Sequence, residues 1–407
     1  MSSTTTSFLQ LSSLGAQDKY ISIDPQVSLI NYNYKRCNPI ARNPTTVLFK
    51  ETTGFGKTLT VTVPRKGDMI NDVCLYVKLP KLSRASGSTY TGWCQSVGYA
   101  MIDYVEVIIG ETVIDKQTGL SMEIQDYLSC PSDKRGGRDK NVGRYNTELV
   151  LPQGAVADRE FFIPFQFWFN KKISASLPLY LINMQEVKFR IKFREFQQLV
   201  VYDGPTPPVN QEILDASLIV DYLILNDRDK ANLNIKPSMT YLIEQVRTNV
   251  FKEITASSQN CSIHLDYRQP VKEILFVVVP EQGLVNNDYY MFGQRDAPNQ
   301  GEALIRTAEV LFDGKPRITK QSEKYFRTVT PQKYHTFTGD RNIYVISFSE
   351  APELNQPSGS VNFSRFDNIN LNLEMVENLP ACIVYPFAIS YNVLTIANGG
   401  AKIEFLG

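Results

Sequence analysis

Alternation with a period of two runs through most of the chain and limits its fold more than any other feature. In "KTLTVTV", Leu59, Val61 and Val63 fall on one face and Thr58, Thr60 and Thr62 on the other. In "EVKFRIKFR", Val187, Phe189, Ile191 and Phe193 alternate with Lys188, Arg190, Lys192 and Arg194. Successive strand side chains point to opposite faces, so these runs predict half-buried antiparallel strands. The pattern returns in "CSIHLDY", "KEILFVVVP", "NIYVISF" and "DNINLNLEM". Pro, Gly, Asn and Asp clusters such as "DGPTPP" and "NQPSG" separate the runs, which suits β-sandwiches or barrels.

Helical signals are few. "TGLSMEIQDYL" (118–128) has Leu120, Ile124 and Leu128 at helical spacing behind a Thr118 cap, and "NDRDKANL" (226–233) opens on Asn226 as a second cap. The second lies between the strands "ASLIVDYLIL" and "TYLIEQV", with Pro237 just beyond it, and marks the junction of two domains. With 407 residues the chain exceeds the roughly 250–300 at which one core stops growing. The expected division is an arm at 1–24, a first domain at 25–226, a linker at 227–240 and a second domain at 241–407.

Charge and cysteine content exclude several classes. Lys and Arg number 42 and Asp and Glu 42, so the chain lacks the basic footprint of a nucleic-acid coat. No apolar run approaches the roughly 20 residues that span a bilayer. The opening "MSSTTTSFLQLSSLGAQDKY" lacks the basic and apolar regions of an export signal, which leads us to expect synthesis without export. Cys37, Cys74, Cys94, Cys130, Cys261 and Cys382 are widely spaced, the pattern of reduced and mostly buried thiols. The sequons at Asn260 and Asn362 then read as chance matches.

Catalytic motifs fail on context. Gly56-Lys57-Thr58 ends like a phosphate-binding loop, but Glu51 stands where the first glycine belongs and a strand follows where a helix is needed. Gly54 and Gly56 instead serve a loop leading into a strand. His264 and His335, the only histidines, are far apart in sequence, and His264 alternates within "SIHLDY" to face away from the core. No metal cluster or serine elbow is legible, so no catalytic, cofactor or metal residue is assigned. "DKRGGRDK" (133–140) is expected to be a flexible surface loop, because no aromatic residue interleaves it for base stacking.

Several stretches together resemble the major capsid proteins of large icosahedral double-stranded DNA viruses, of the chlorovirus and iridovirus kind. They are "GAQDKYISIDPQVSLI", "VPRKGDMINDVCLYVKLP", "YVEVIIGETVIDKQTG", "FWFNKKISASLPLYLINMQEVKFRIKF", "VDYLILNDRDKANL" followed by "YLIEQV", "QPSGSVNFSRFDNINL" and "YNVLTIANGG". Their order spans nearly the whole chain; Ile109-Gly110-Glu111 departs from the family's double glycine. The residues carried over as structural motif positions are Gly67, Asp68, Pro357, Gly359, Asn362, Phe363, Ser364, Arg365, Asp367, Tyr391 and Asn392. Pro357 and Gly359 are expected at the second and fourth positions of a turn, and Arg365 and Asp367 could point the same way and pair.

The resemblance implies an all-β double jelly roll, two eight-stranded antiparallel sandwiches in tandem with a few short helices in loops. It implies a structural protein, not an enzyme, with no cofactor, whose homotrimeric pseudo-hexagonal capsomers tile an icosahedral shell. Its partners would be itself, neighbouring capsomers and minor capsid proteins, with an internal membrane beneath the shell and no direct contact with nucleic acid. The implied location is the virion capsid, after synthesis and assembly in host cytoplasm. The Ser/Thr-rich arm would stay mobile until a neighbouring subunit or an inner shell protein orders it. The alternatives are a jelly-roll carbohydrate-binding module and a minor capsid paralogue.

Overall fold

The structure is a computed structural model that describes residues 3–30, 34–83, 87–88, 90–144, 150–151, 158–234, 238–248, 251–294 and 302–405. Pro237, beside the expected junction, lies outside them. The chain forms two compact units, Met1–Ile40 and Ala41–Gly407. In the first, helix α1 (Ser3–Ser12) leaves Phe8, Leu9 and Leu11 exposed, and the Asp18 carboxylate accepts the Gly15 N–H at 2.7 Å.

The second unit carries sixteen principal strands in two sets of eight. The first set is β1 (Ala41–Leu48), β2 (Thr58–Thr62), β3 (Met69–Leu79), β4 (Ile102–Ile109), β5 (Thr112–Thr118), β6 (Arg159–Pro164), β7 (Val187–Phe193) and β8 (Asp215–Ile224). The second set is β9 (Ser238–Arg247), β10 (Asn260–His264), β11 (Pro270–Pro280), β12 (Ile305–Phe312), β13 (Lys315–Ser322), β14 (Tyr344–Ser347), β15 (Ile369–Met375) and β16 (Cys382–Ala397). Sheet A runs β1-β8-β3-β6 and sheet B runs β2-β7-β4-β5. Sheet C, β9-β16-β11-β14, and sheet D, β10-β15-β12-β13, repeat that order strand for strand. All pairs are antiparallel, and the fold is a double jelly roll.

Side-chain alternation decides which face of each sheet is buried. Leu59, Val61, Val187, Phe189, Ile191 and Phe193 fill the first sandwich, while Lys188, Arg190 and Lys192 stay at the surface. β11 departs from alternation because it is covered on both sides. Ile274, Phe276 and Val278 point into the second sandwich, whereas Leu275, Val277 and Val279 join the core of the first. This double coverage explains the continuous apolar run "ILFVVV".

Local signals fix the connections. Asp313 and Gly314, at φ of 46° and 78°, make the tight turn between β12 and β13, since both positions need the left-handed region. Helix α2 (Gly119–Ser129) starts where expected. The Thr118 hydroxyl accepts the Ser121 N–H at 3.2 Å, and the Ser121 hydroxyl accepts the Thr118 N–H at 3.0 Å.

The stretch expected as a surface loop is instead helix α3 (Ser132–Val142). Pro131 precedes it, Asp133 sits in its first turn, and Gly143 closes it at φ 74°. Tertiary contacts override its two glycines: Arg138 reaches Asp126 at 3.4 Å, Asp139 holds Arg144 at 2.8 Å, and the Arg135 guanidinium lies over the Phe337 ring at 3.6 Å. Helix α4 (Asp227–Asn234) follows β8, and the Asn226 side chain accepts the Asp229 N–H at 2.8 Å, as expected of its cap.

Candidate functional site: the seam between the sandwiches

The outer face of sheet C is as apolar as an interior. Leu275 lies opposite Val345 and Phe387 in register, and all three are buried with Ile389 against the first sandwich. Helix α2 crosses this face: Leu120 shares a cavity wall with Val279 and Phe387, and Gln125 shares another with Leu275 and Ile389. Its whole circumference is therefore covered, by its own sandwich on one side and by the neighbouring sandwich on the other.

Charges bind the same seam. Arg144 is 0% exposed and gives Nε to Glu123 Oε1 at 2.7 Å, Nη2 to Glu123 Oε2 at 2.6 Å and to Asp126 at 2.9 Å, and Nη1 to Asp139 at 2.8 Å. From the second sandwich Arg341 adds a contact to Glu123 at 2.6 Å. Burial pushes the Glu123 carboxyl up, but the two guanidinium groups outweigh it and hold the carboxyl below its usual range. Lys171 of the first sandwich meets Glu244 at 2.6 Å, and the buried Lys272 amine donates to the same carboxylate. Nearby, Asp115 accepts the Val246 N–H at 3.1 Å across the seam and the Gln117 amide at 2.8 Å; burial still pushes it up to about 6.

A cavity of about 320 Å³ opens beside α2, lined by Asp72, Arg138, Asn170, Lys171, Glu273 and His335 among others. His335 Nδ1 lies 3.0 Å from Glu353 Oε1, and Nε2 lies 3.0 Å from Glu273 Oε2 without the alignment of a hydrogen bond. Burial lowers this imidazole, but Glu273 and then Glu353 raise it to about 9. His264 is exposed on β10, as its alternation implies. Among the described residues no group of three or more His, Cys, Asp or Glu side chains is placed to hold a metal ion. Gly56 takes φ 74° in a loop feeding β2, and Lys57 donates to the Thr52 carbonyl at 3.4 Å.

The sequence-selected residues fall in three places rather than one. Gly67 and Asp68 precede and begin the entry to β3, where a Cβ on Gly67 would come 2.5 Å from Tyr222 Cβ. The Asp68 carboxylate accepts the Leu225 N–H at 2.8 Å and pairs with Lys230 at 3.0 Å, fastening the end of β8 and helix α4. Asp68→Ala is expected to cost about 1–2 kcal/mol, from the loss of one charged hydrogen bond and a half-exposed pair. An unchanged urea midpoint would show that these contacts do not hold the junction.

Pro357 to Asp367 run beneath the second sandwich. Residues 356–359 do not close the expected turn; the Ser358 carbonyl accepts the Glu350 N–H at 3.2 Å and its hydroxyl accepts the Ala351 N–H at 2.9 Å. Gly359 takes φ 139°, a conformation that L side chains rarely adopt, and a Cβ there would lie 2.6 Å from the Phe348 carbonyl. That conformation and that close approach, not a turn, are what need glycine. Asn362 Oδ1 accepts the Ser364 N–H at 3.1 Å and its hydroxyl at 2.8 Å, which turns Phe363 into a cluster with Phe312 and Phe348. Arg365 and Asp367 are both exposed with no ion pair between them; the Asp367 N–H donates to Asp313 at 3.0 Å. Tyr391 and Asn392 lie on β16 beside the seam, where Asn392 donates to Gln245 and to the Phe405 carbonyl, each at 2.8 Å.

Two family models match the chain in succession. Residues 28–226 match the family described as major capsid protein N-terminus, and residues 234–401 match the large eukaryotic DNA virus major capsid protein family. The chain belongs to the major capsid proteins of large eukaryotic DNA viruses. It is 29% identical to the major capsid protein of Pyramimonas orientalis virus, over 98% of both chains. It is 25% identical to that of Phaeocystis pouchetii virus, over 98% of this chain and 99% of that one. Its fold matches a chain of the quasi-atomic model of the PBCV-1 virus capsid with TM-score 0.79 at 22% identity, covering 93% of this chain and all of that one.

For a capsid protein, the seam is a functional element because it makes one rigid block of two sandwiches. Sequence reading missed its key members, Glu123, Arg144, Arg341 and His335. One signal was available: Glu123 and Asp126 are three apart on a helix whose other positions are largely apolar, the spacing of two carboxylates sharing a buried face.

Proposed function

We propose that three copies of this capsid protein close into a ring whose six sandwiches give a pseudo-hexagonal capsomer, and that these capsomers tile an icosahedral shell. The repetition of one strand order in both halves supports this reading, because a threefold ring of such chains presents six nearly equivalent sides. The division into two sandwich-bearing halves around residues 227–240 belongs to the same proposal, as do structural roles for Gly67, Asp68, Pro357, Gly359, Asn362, Phe363, Ser364, Arg365, Asp367, Tyr391 and Asn392. The chain works by assembly without catalysis.

Equal numbers of acidic and basic residues favour crowding of identical copies and argue against direct packing on the genome. Minor capsid proteins and an internal membrane are the neighbours we assign to the inner side, and host cytoplasm the site of assembly. Purified protein is expected to run near three times 46.1 kDa by light scattering. A persistent monomer at micromolar concentration would overturn the ring.

A further inference from the structure

A second cavity, of about 230 Å³, opens in the seam beside the first turn of α2. Both sandwiches build its walls: Leu120 and Arg194 come from the first, and Val279, Tyr385 and Phe387 from the second. Phe251, 59% exposed, stands at its mouth, with its ring 6.3 Å from that of Tyr385. A dry cavity of about 150 Å³ already holds benzene, so this one takes a ring with a short substituent. Aromatic walls favour a ring over a chain of equal size, through offset and edge contacts.

Two polar groups interrupt this lining. Arg194, just beyond β7, gives Nη1 to the Ala100 carbonyl at 3.1 Å, and its guanidinium lies over the Tyr289 ring at 4.1 Å. Tyr289 is fixed in turn, its hydroxyl donating to the Gln198 carbonyl at 2.9 Å. Among the described residues no carboxylate pairs with Arg194, so a positioned fork with donors to spare faces the cavity without a counter-ion. Asp103 also lines the space, but Lys192 takes its charge at 3.1 Å. That neighbour admits one negative charge beside Arg194 and disfavours a second. Tyr290, also in the wall, is 6% exposed, and its hydroxyl has no hydrogen-bond partner among the described residues. A buried hydroxyl left unpaired is a standing cost that an acceptor oxygen in the cavity would relieve.

We propose that this cavity binds a small arene monocarboxylate, whose carboxylate pairs with Arg194 and accepts from the Tyr290 hydroxyl while its ring lies among Leu120, Tyr385 and Phe387. Such a ligand touches both sandwiches, so its binding stabilises the joined block by mass action. The inference goes beyond assembly and holds for the single chain as for a ring of three.

The test is calorimetric titration of the full chain with phenylacetate, beside 2-phenylethanol, which lacks the charge, and acetate, which lacks the ring. Phenylacetate is expected to bind once per chain, to raise Tm with concentration, and to bind about tenfold or more tighter than either control. Arg194→Met should weaken it by about tenfold or more with far-UV circular dichroism unchanged. Tyr290→Phe should weaken it about threefold or more while the Tm of the unliganded protein does not fall, because the hydroxyl it removes bonds to nothing in the empty cavity. A purely structural tyrosine would show the opposite pair of results and would overturn the assignment. So would the absence of saturable phenylacetate binding at millimolar concentration, equal binding of 2-phenylethanol, or unweakened binding by folded Arg194→Met. Should Arg194→Met not fold, the Tyr290→Phe affinity decides, and an unchanged value overturns the site.

Discussion

Replacing Arg144 with methionine is expected to destabilise the protein by about 3–5 kcal/mol, the usual cost of stranding a buried charge. The guanidinium is fully buried, and its removal leaves Glu123 and Asp126 facing each other with Arg341 and Arg138 as their remaining cations. The Glu123 side chain is 0% exposed, and its other hydrogen bond comes from the Ser96 hydroxyl at 2.9 Å. The cost arises from desolvation of the orphaned carboxylates more than from the lost attraction, so Arg144→Met with Glu123→Gln should recover part of it. Urea unfolding measures both: the single variant should lower the midpoint at unchanged slope, and the double variant should sit between it and the parent. A single variant within 1 kcal/mol of the parent would show that the cluster is hydrated and does not clamp the seam. The effect should reach assembly too, since Arg341 crosses from one sandwich to the other and fixes the block that a capsomer must use whole.

The two sandwiches were legible because alternation records which face of a strand meets water, and strands in both halves write it, as β2 and β7 do in the first and β10 and β15 in the second. What the sequence concealed was every place where a second layer covers a surface. β11 reads as a uniform apolar run, equally consistent with a buried helix segment, until sheet C is seen to be packed on both sides. α3 reads as a loop because Gly136 and Gly137 lower its intrinsic preference; what makes it helical is the set of partners for Arg135, Arg138 and Asp139, all of which lie outside the segment itself. The motif residues were found as strings, yet their work is of three kinds: close backbone passage at Gly67 and Gly359, junction fastening at Asp68, and side-chain bonding beside the seam at Asn392. Local strings identify such positions without revealing what they touch.

His335 concealed the most, and it gives the second large effect. Its imidazole is raised to about 9 between Glu273 and Glu353, against about 6.5 for the group when unfolded. A cation favoured by the folded state stabilises fully below the unfolded value. That contribution, about 3 kcal/mol for such a shift, is lost as pH rises from roughly 6.5 through 9. Glu353 acts at the other end: its carboxyl is held below the usual value, with burial opposing and His335 and Thr336 prevailing, so its contribution is lost as pH falls below about 4.5. Asp115, raised to about 6, follows the direction of His335 and weakens the seam as pH climbs from about 3.8 to 6. Stability should therefore decline through the alkaline range, and His335→Gln should remove most of that slope while lowering stability at pH 6. Urea midpoints between pH 6 and 9.5 for the two proteins decide it. Parallel curves would mean that the imidazole does not carry the charge its two carboxylates require, and that the cavity beside α2 is neutral at that point.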